Sequence, residues 1–414
     1  MPSGNEVADW LMSKGQVELG GSEGPPRPLE PEEELHEIAW DTLFPSSRPR
    51  AEQGQEVAVF SRLAEAPEEW RVLGNDPWQD ELPAEFLGRV KDALGQDLPA
   101  EVETHEVEIC AWYQPIHFYG HDWGIFIREQ CIIDNALLIA QALPRALWDK
   151  VPPKVLGRAL IRAGAIVFFL HEQYHHKTEC LGIRLFVVEK QARYNTYVKN
   201  VYQATFRTDD NLEEALANAD SYRRLGDEPY SLWLPKAVRD ATKEVLKAYF
   251  RGSPPGYRMA LHYLRKSDFE PAENQLQAQI HEGLLKPCQD HCDWDFAPRL
   301  LQSFFNVKDD IWGIVQSGTK PLLPGRSIMP VSTCSTAQVL TLLQQAGYQV
   351  VSGGKGSHIK AKKPGAPMMI LPGGRDNLSA GVAKNLAHVL GIRGVGILRQ
   401  VVTGGISFQE AISH

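Results

Sequence analysis

His171-Glu172-Gln173-Tyr174-His175 is the stretch of this 414-residue chain whose residue types and spacing could do chemistry. Histidines four residues apart on a helix leave the same face, one turn from each other. Two neutral imidazoles so placed can hold one Zn²⁺ at about 2.0–2.1 Å. Glu172, beside the first histidine, stands where a general base would take a proton from a water that zinc activates. The apolar run Ala163 to Leu170 leads straight into the motif. Two imidazoles and a carboxylate at the end of such a run are costly to bury without a ligand, so Zn²⁺ is the expected cofactor.

Two histidines are one ligand short, because a catalytic zinc usually takes three protein ligands and keeps a fourth position open. Asp209-Asp210-Asn211 is an N-cap signal, and the helix it opens runs from Leu212 to Tyr222. Glu214, in the small-residue part of that helix, is the expected third ligand. Glu213 competes with it, since one residue of frame decides between them. Asn218, one turn beyond Glu214, is placed to hold the outer nitrogen of a ligand. His117, His121, Tyr194, Tyr197 and Tyr222 are candidate donors to an oxyanion, and the sequence does not choose among them.

The elements that must position these groups follow from periodicity. Glu33 to Phe44, Ala51 to Ala64 and Pro83 to Leu94 have helical patterns in an acidic region, 31–105, that carries no evident chemistry. Val107 to Tyr113 and Trp123 to Ile127 alternate like strands. The aromatic and histidine-rich turn Tyr113 to Asp122 lies between them, where extended substrate could add to an edge strand. Helices are expected over Asn135–Trp148, Lys154–His176, Asn195–Arg207 and much of 226–318. Cys288 and Cys292 flank His291 but make an incomplete ligand set, and read as structural or incidental thiols.

The ends of the chain differ in character. Residues 1–30 hold a Gly/Pro-rich stretch expected to be a mobile arm. Residues 319–331 contain three prolines and read as a linker, itself a plausible protease target. Beyond it the charge reverses. Residues 331–414 carry eight Lys and Arg against two acids, +6, which leaves −15 for the rest of a chain whose net charge is −9. An acidic body with a basic tail points to a polyanion partner, RNA or DNA, for the tail alone. A polar N-terminus, no apolar stretch near 18 residues and six scattered cysteines predict no membrane partner, a cytoplasmic location and reduced thiols.

The motif HEQYHH followed by EEALANADSY resembles the gluzincin class of zinc metallopeptidases, over about residues 105–225. The resemblance implies hydrolysis of peptide bonds in a protein or peptide substrate, with Glu214 joining the two histidines. Many members carry an acid four residues after that glutamate, where this chain has Asn218. In the tail, AGYQVV, GKGSHIK and a proline after the third strand resemble the HicA toxin family over about residues 332–392. That family has an α-β-β-β-α, double-stranded-RNA-binding-like fold and cleaves RNA. The resemblance implies a catalytic role for His358, while Lys355, Ser357, Lys360, Lys362 and Lys363 would hold phosphates. The expected fold class is thus α+β: a mainly helical zincin-like domain with a small sheet over 106–318, and a HicA-like domain with a C-terminal extension over 332–414.

Overall fold

The computed structural model describes residues 4–18, 33–37, 82–102, 110–120, 123–228, 230–287, 312–317, 326–328, 336–352, 358–366, 368–372, 386–387, 389–392, 398, 401–402 and 407–413. The expected helix 51–64, His121, Cys288, Cys292, Lys355 and Ser357 lie outside them. The fold is α+β, mostly helical with small sheets. It divides into two compact units that are not contiguous in sequence. One comprises 37–113 and 125–326, the other 2–36, 114–124 and 327–414.

The first unit is built around one helix, Pro153–Glu189, of 37 residues. At about 1.5 Å per residue it is roughly 55 Å long. Pro153 occupies its first turn, where a missing N–H costs nothing. Lys190, in the left-handed region at φ 62°, ends it with an N–H bond to the Phe186 carbonyl. The helix runs a full thirteen residues past the expected end at His176. Its middle is buried on every side, from Leu160 through Leu170, because other helices surround it.

Two of those neighbours matter most here, Glu129–Gln141 and Leu212–Arg224. A side chain at Gly164 would meet the Ile132 carbonyl at 2.8 Å, so only glycine permits this approach of helix to backbone. The 3₁₀ turn Tyr257–Tyr263 packs on Leu212–Arg224, and helices Lys236–Gly252 and Lys266–Glu282 complete the layer. Strand Gly124–Arg128 lies between Ala111–Gln114 and Trp312–Ser317, and pairs parallel with the latter, Ile125 opposite Trp312.

Several local expectations change. The helix expected over Asn135–Trp148 starts earlier, at Glu129, and stops at Gln141 because Pro144 cannot continue it; Leu147–Lys150 is a separate turn. Glu33–Glu37 is a strand beside Arg326–Ile328, not the start of a helix, since pairing with a distant segment overrides local propensity. That partner strand lies inside the stretch expected as open linker. Trp312–Ser317 is likewise a strand where helix was expected. Cys110 and Cys131, with Cα atoms 5.5 Å apart, form a disulfide, which corrects the expectation of reduced thiols for that pair; Cys180 is free and buried. No helix among the described residues is long and apolar enough to cross a membrane.

In the second unit, helix Thr336–Gln345 ends at Gly347, whose φ of 85° suits glycine. Strands Gln349–Ser352, His358–Lys362 and Met369–Pro372 follow as an antiparallel meander, with Val350 opposite Ala361 and Ala361 opposite Met369. Leu342, Leu343, Ala361 and Leu371 form its core with Leu386 and Leu390, the described part of the expected closing helix. Within the expected mobile arm, Gly4–Ser13 is a helix that buries Val7, Ala8 and Leu11. Gly4 packs against the Trp123 ring, closer than any side chain would allow.

Candidate metal centre

The site is assembled where Leu212–Arg224 crosses the middle of the long helix. Nε2 of His171 and Nε2 of His175 are 3.2 Å apart. Oε2 of Glu214 is 3.2 Å from the first and 3.5 Å from the second. A tetrahedral zinc with bonds of about 2.0–2.1 Å requires ligand–ligand edges of about 3.3–3.4 Å. The three observed edges match that triangle. The structure thus brings together His171, His175 and Glu214 as a group that could hold a metal ion.

The proton positions strengthen this. The Asn218 amide is oriented by its own N–H, which donates to the Tyr257 carbonyl at 3.3 Å. Its Oδ1 therefore faces Nδ1 of His171 at 2.9 Å and can only accept. Nδ1 of His175 meets Oε1 of Glu213 at 2.7 Å, and a carboxylate too can only accept. In their neutral forms both imidazoles therefore carry the proton on Nδ1 and turn the Nε2 lone pair inward. Oε2 of Glu214 is buried and has no hydrogen-bond donor. Three lone-pair donors face one another, an arrangement that a cation satisfies.

Without a cation the charge balance falls on His175. Burial works against its charged form, but Glu214 and Glu213 outweigh burial and raise its pKa well above the ordinary histidine value. Burial likewise pushes the Glu214 carboxyl up, and His175 and His171 outweigh it and hold it well below the usual carboxylate range.

The frame question between the two glutamates is answered by the cap. Asn211 accepts from the Glu214 N–H at 3.2 Å, and from that phase Glu214 points to the histidines' Nε2 atoms. Glu213 reaches instead the outer nitrogen of His175, with Thr178 at 2.8 Å and Tyr197 at 2.6 Å on its two oxygens. Glu172 is buried on the long helix, one position after His171 and three before His175, an i,i+3 neighbour of the second ligand.

The candidate oxyanion donors fare differently. Tyr197 is occupied by Glu213. Tyr194 is buried against Gly182. Tyr222 lies at the far end of its helix under Lys243 and Lys247, in a surface pocket with Leu143 and Ala237. His117 is buried in the second unit, on the short helix Ile116–Tyr119, rather than exposed on a turn. His176, the third histidine of the run, is no ligand. Burial lowers its pKa to about 4, and its ring nitrogens meet the Tyr113 hydroxyl at 2.9 Å and the Cys180 sulfur at 3.4 Å.

Sequence reasoning missed Tyr202, whose hydroxyl donates to Oε1 of Glu214, and Thr178 and Tyr257. Thr178 was findable, three residues after His175 on the same face. Tyr202 was not, because it comes from a π-helical turn, Val198–Tyr202, that local spacing does not announce.

In the second unit, His358 opens the middle strand opposite Pro372. Lys360 and Lys362 are exposed on that strand. Lys363 is partly engaged: its ammonium bonds the Ala346 carbonyl at 2.9 Å, closing the preceding helix, and lies over the Tyr348 ring. Compared with protein-family models, curated proteins and solved structures, the chain has no match.

Proposed function

We propose that this chain is a zinc-dependent peptidase, with His171, His175 and Glu214 as ligands and Glu172 as general base. The observation that carries the reading is the triangle of three inward lone-pair donors at zinc-like spacing, two of them from one helical turn that also bears Glu172. Bound zinc supplies Lewis acidity and brings the pKa of a coordinated water to about 7. The chain does the rest. Asn218 and Glu213 fix the imidazole tautomers, and Glu172 takes the proton of the attacking water and delivers it to the leaving amine. The experiment is a metal count on purified wild type beside His175→Ala and Glu172→Gln, each incubated with an unstructured protein substrate. One zinc per chain in wild type and Glu172→Gln, none in His175→Ala, and hydrolysis by wild type alone is the expected pattern. A wild type without zinc overturns the reading.

The tail adds an RNA- or DNA-binding role, supported by the α-β-β-β order and by exposed Lys360 and Lys362 on the strand that His358 opens. In this reading the peptidase and the tail form a conditional toxin for stress or anti-phage defence, released by cleavage near residues 319–331. If wild type and Glu172→Gln both stay intact with zinc and RNA present, the substrate lies outside the chain. The tail is then a nucleic-acid sensor that controls cleavage of a partner protein.

One observation favours a non-catalytic alternative, a zinc-stabilised scaffold: Glu214 is 2% and His175 only 9% exposed. A structural site is closed, whereas a catalytic one admits a further ligand. Binding of a hydroxamate to the zinc-loaded chain separates the two.

A further inference from the structure

Glu213 and Glu214 are adjacent residues whose four carboxylate oxygens are divided in the same way. In Glu213, Oε1 faces His175 and Oε2 accepts from the Tyr197 hydroxyl at 2.6 Å. In Glu214, Oε2 faces both Nε2 atoms and Oε1 accepts from the Tyr202 hydroxyl. Both tyrosines come from one continuous helical segment, Arg193–Thr205. They are five residues apart. On an α-helix that spacing turns through about 500° and leaves two side chains about 140° apart, unable to serve one neighbour. Here residues Val198–Tyr202 form a π-helical turn, whose i→i+5 closure returns the fifth residue to the same face. Such turns are rare and concentrate at functional sites.

We propose that the π turn exists to place Tyr202 on the outer oxygen of Glu214, making it a positioning residue that restricts Glu214 to a single-oxygen ligand. The inference rests on the metal reading above. A carboxylate that binds through both oxygens fills two coordination positions; one whose second oxygen already accepts a hydrogen bond fills one and leaves room for water. Its ring is seated by Phe206 at 6.4 Å and His175 at 6.2 Å between ring centres, contacts that phenylalanine would preserve. Tyr202 is partly exposed while Tyr197 is 1% exposed, so the outer tyrosine can be altered without opening the core.

The test loads the full chain with Co²⁺ in place of zinc and records its visible spectrum, which is intense for four-coordinate cobalt and several-fold weaker for five. Wild type should show the intense bands. Tyr202→Phe should bind cobalt but lose several-fold in intensity, as Glu214 takes up its second oxygen. Tyr197→Phe should bind more weakly with an unchanged band shape, because its hydroxyl acts on Glu213. A Tyr202→Phe spectrum superimposable on wild type overturns the inference and leaves the metal site standing. A wild type that binds neither cobalt nor zinc overturns both. Should Tyr202→Phe not fold, difference infrared spectra of wild type on zinc addition decide the matter. A carboxylate splitting wider than that of the free ion is expected, and a narrower one, the mark of two-oxygen binding, overturns the inference.

Discussion

Nδ1 of His175 lies 2.7 Å from Oε1 of Glu213, and this contact determines which nitrogen the second histidine of the motif offers to the site. A carboxylate has no proton to give, so the imidazole must donate and its Nε2 must face inward. The same glutamate takes the Tyr197 hydroxyl, so two buried donors depend on one side chain; the Thr178 hydroxyl, also within reach, has the His175 carbonyl as a second acceptor at 2.7 Å.

Glu213→Ala should therefore act twice. Metal affinity should fall by about 10–100-fold, the usual effect of removing a partner from a ligating histidine. Stability without metal should fall by about 1–3 kcal/mol, since buried donors lose their acceptor. Zinc titration with a competing chelator and urea unfolding measure the two separately.

Asn218→Ala should weaken zinc binding about tenfold by freeing the His171 ring, and Asn218→Asp should restore most of it. The same chelator competition reads this series. Equal affinity in all three proteins would remove Asn218 from the site.

Glu273 gives a pH dependence outside the candidate metal centre. Burial and the nearby Asp220 raise its pKa to about 7, although Lys177, Arg223 and the Tyr174 hydroxyl pull it down. A carboxyl whose folded pKa exceeds its unfolded value binds more protons when folded, so its contribution to stability is present at low pH and is lost as pH rises toward 7. Glu273→Gln stays neutral throughout. Its melting temperature relative to wild type should rise between pH 4 and pH 8, and a flat difference would contradict the assignment.

Lys360→Gln with Lys362→Gln should weaken RNA binding and reduce the slope of log affinity against log salt by about 1.5, near 0.7–0.9 per lysine. Lys363→Gln should cost stability of the second unit as well, because that ammonium closes the helix before it. Filter binding at several salt concentrations reads the first effect, thermal melting the second.

The readable part of the site was the part written in local periodicity. His171, His175 and Asn218 follow from a four-residue spacing on helices, and the Asn211 cap fixes the phase that turns Glu214 inward. What escaped were groups brought in by geometry with no sequence period. Tyr202 reaches Glu214 only because of a π turn, and Val-Lys-Asn-Val-Tyr has no feature that announces one. Strands Glu33–Glu37 and Trp312–Ser317 escaped for a related reason, since each exists through pairing with a distant segment. The disulfide joins residues 21 apart and is decided by proximity in space, which scattered cysteines do not reveal.

The long helix has a mechanical consequence. Both histidines are carried by one hydrogen-bonded rod, so no motion of that rod changes the distance between them. The third corner belongs to a different body, the helix that carries Glu214. Any tilt or slide of the rod therefore appears at the triangle as a change in two edges and never in the third. At the rod's far end, Glu189 is tied to Arg193 and to His281 of another helix. A push delivered there is transmitted over about four to five turns, and the centre would register it as a gain or loss of grip on a bound ion, a strain gauge with one fixed arm.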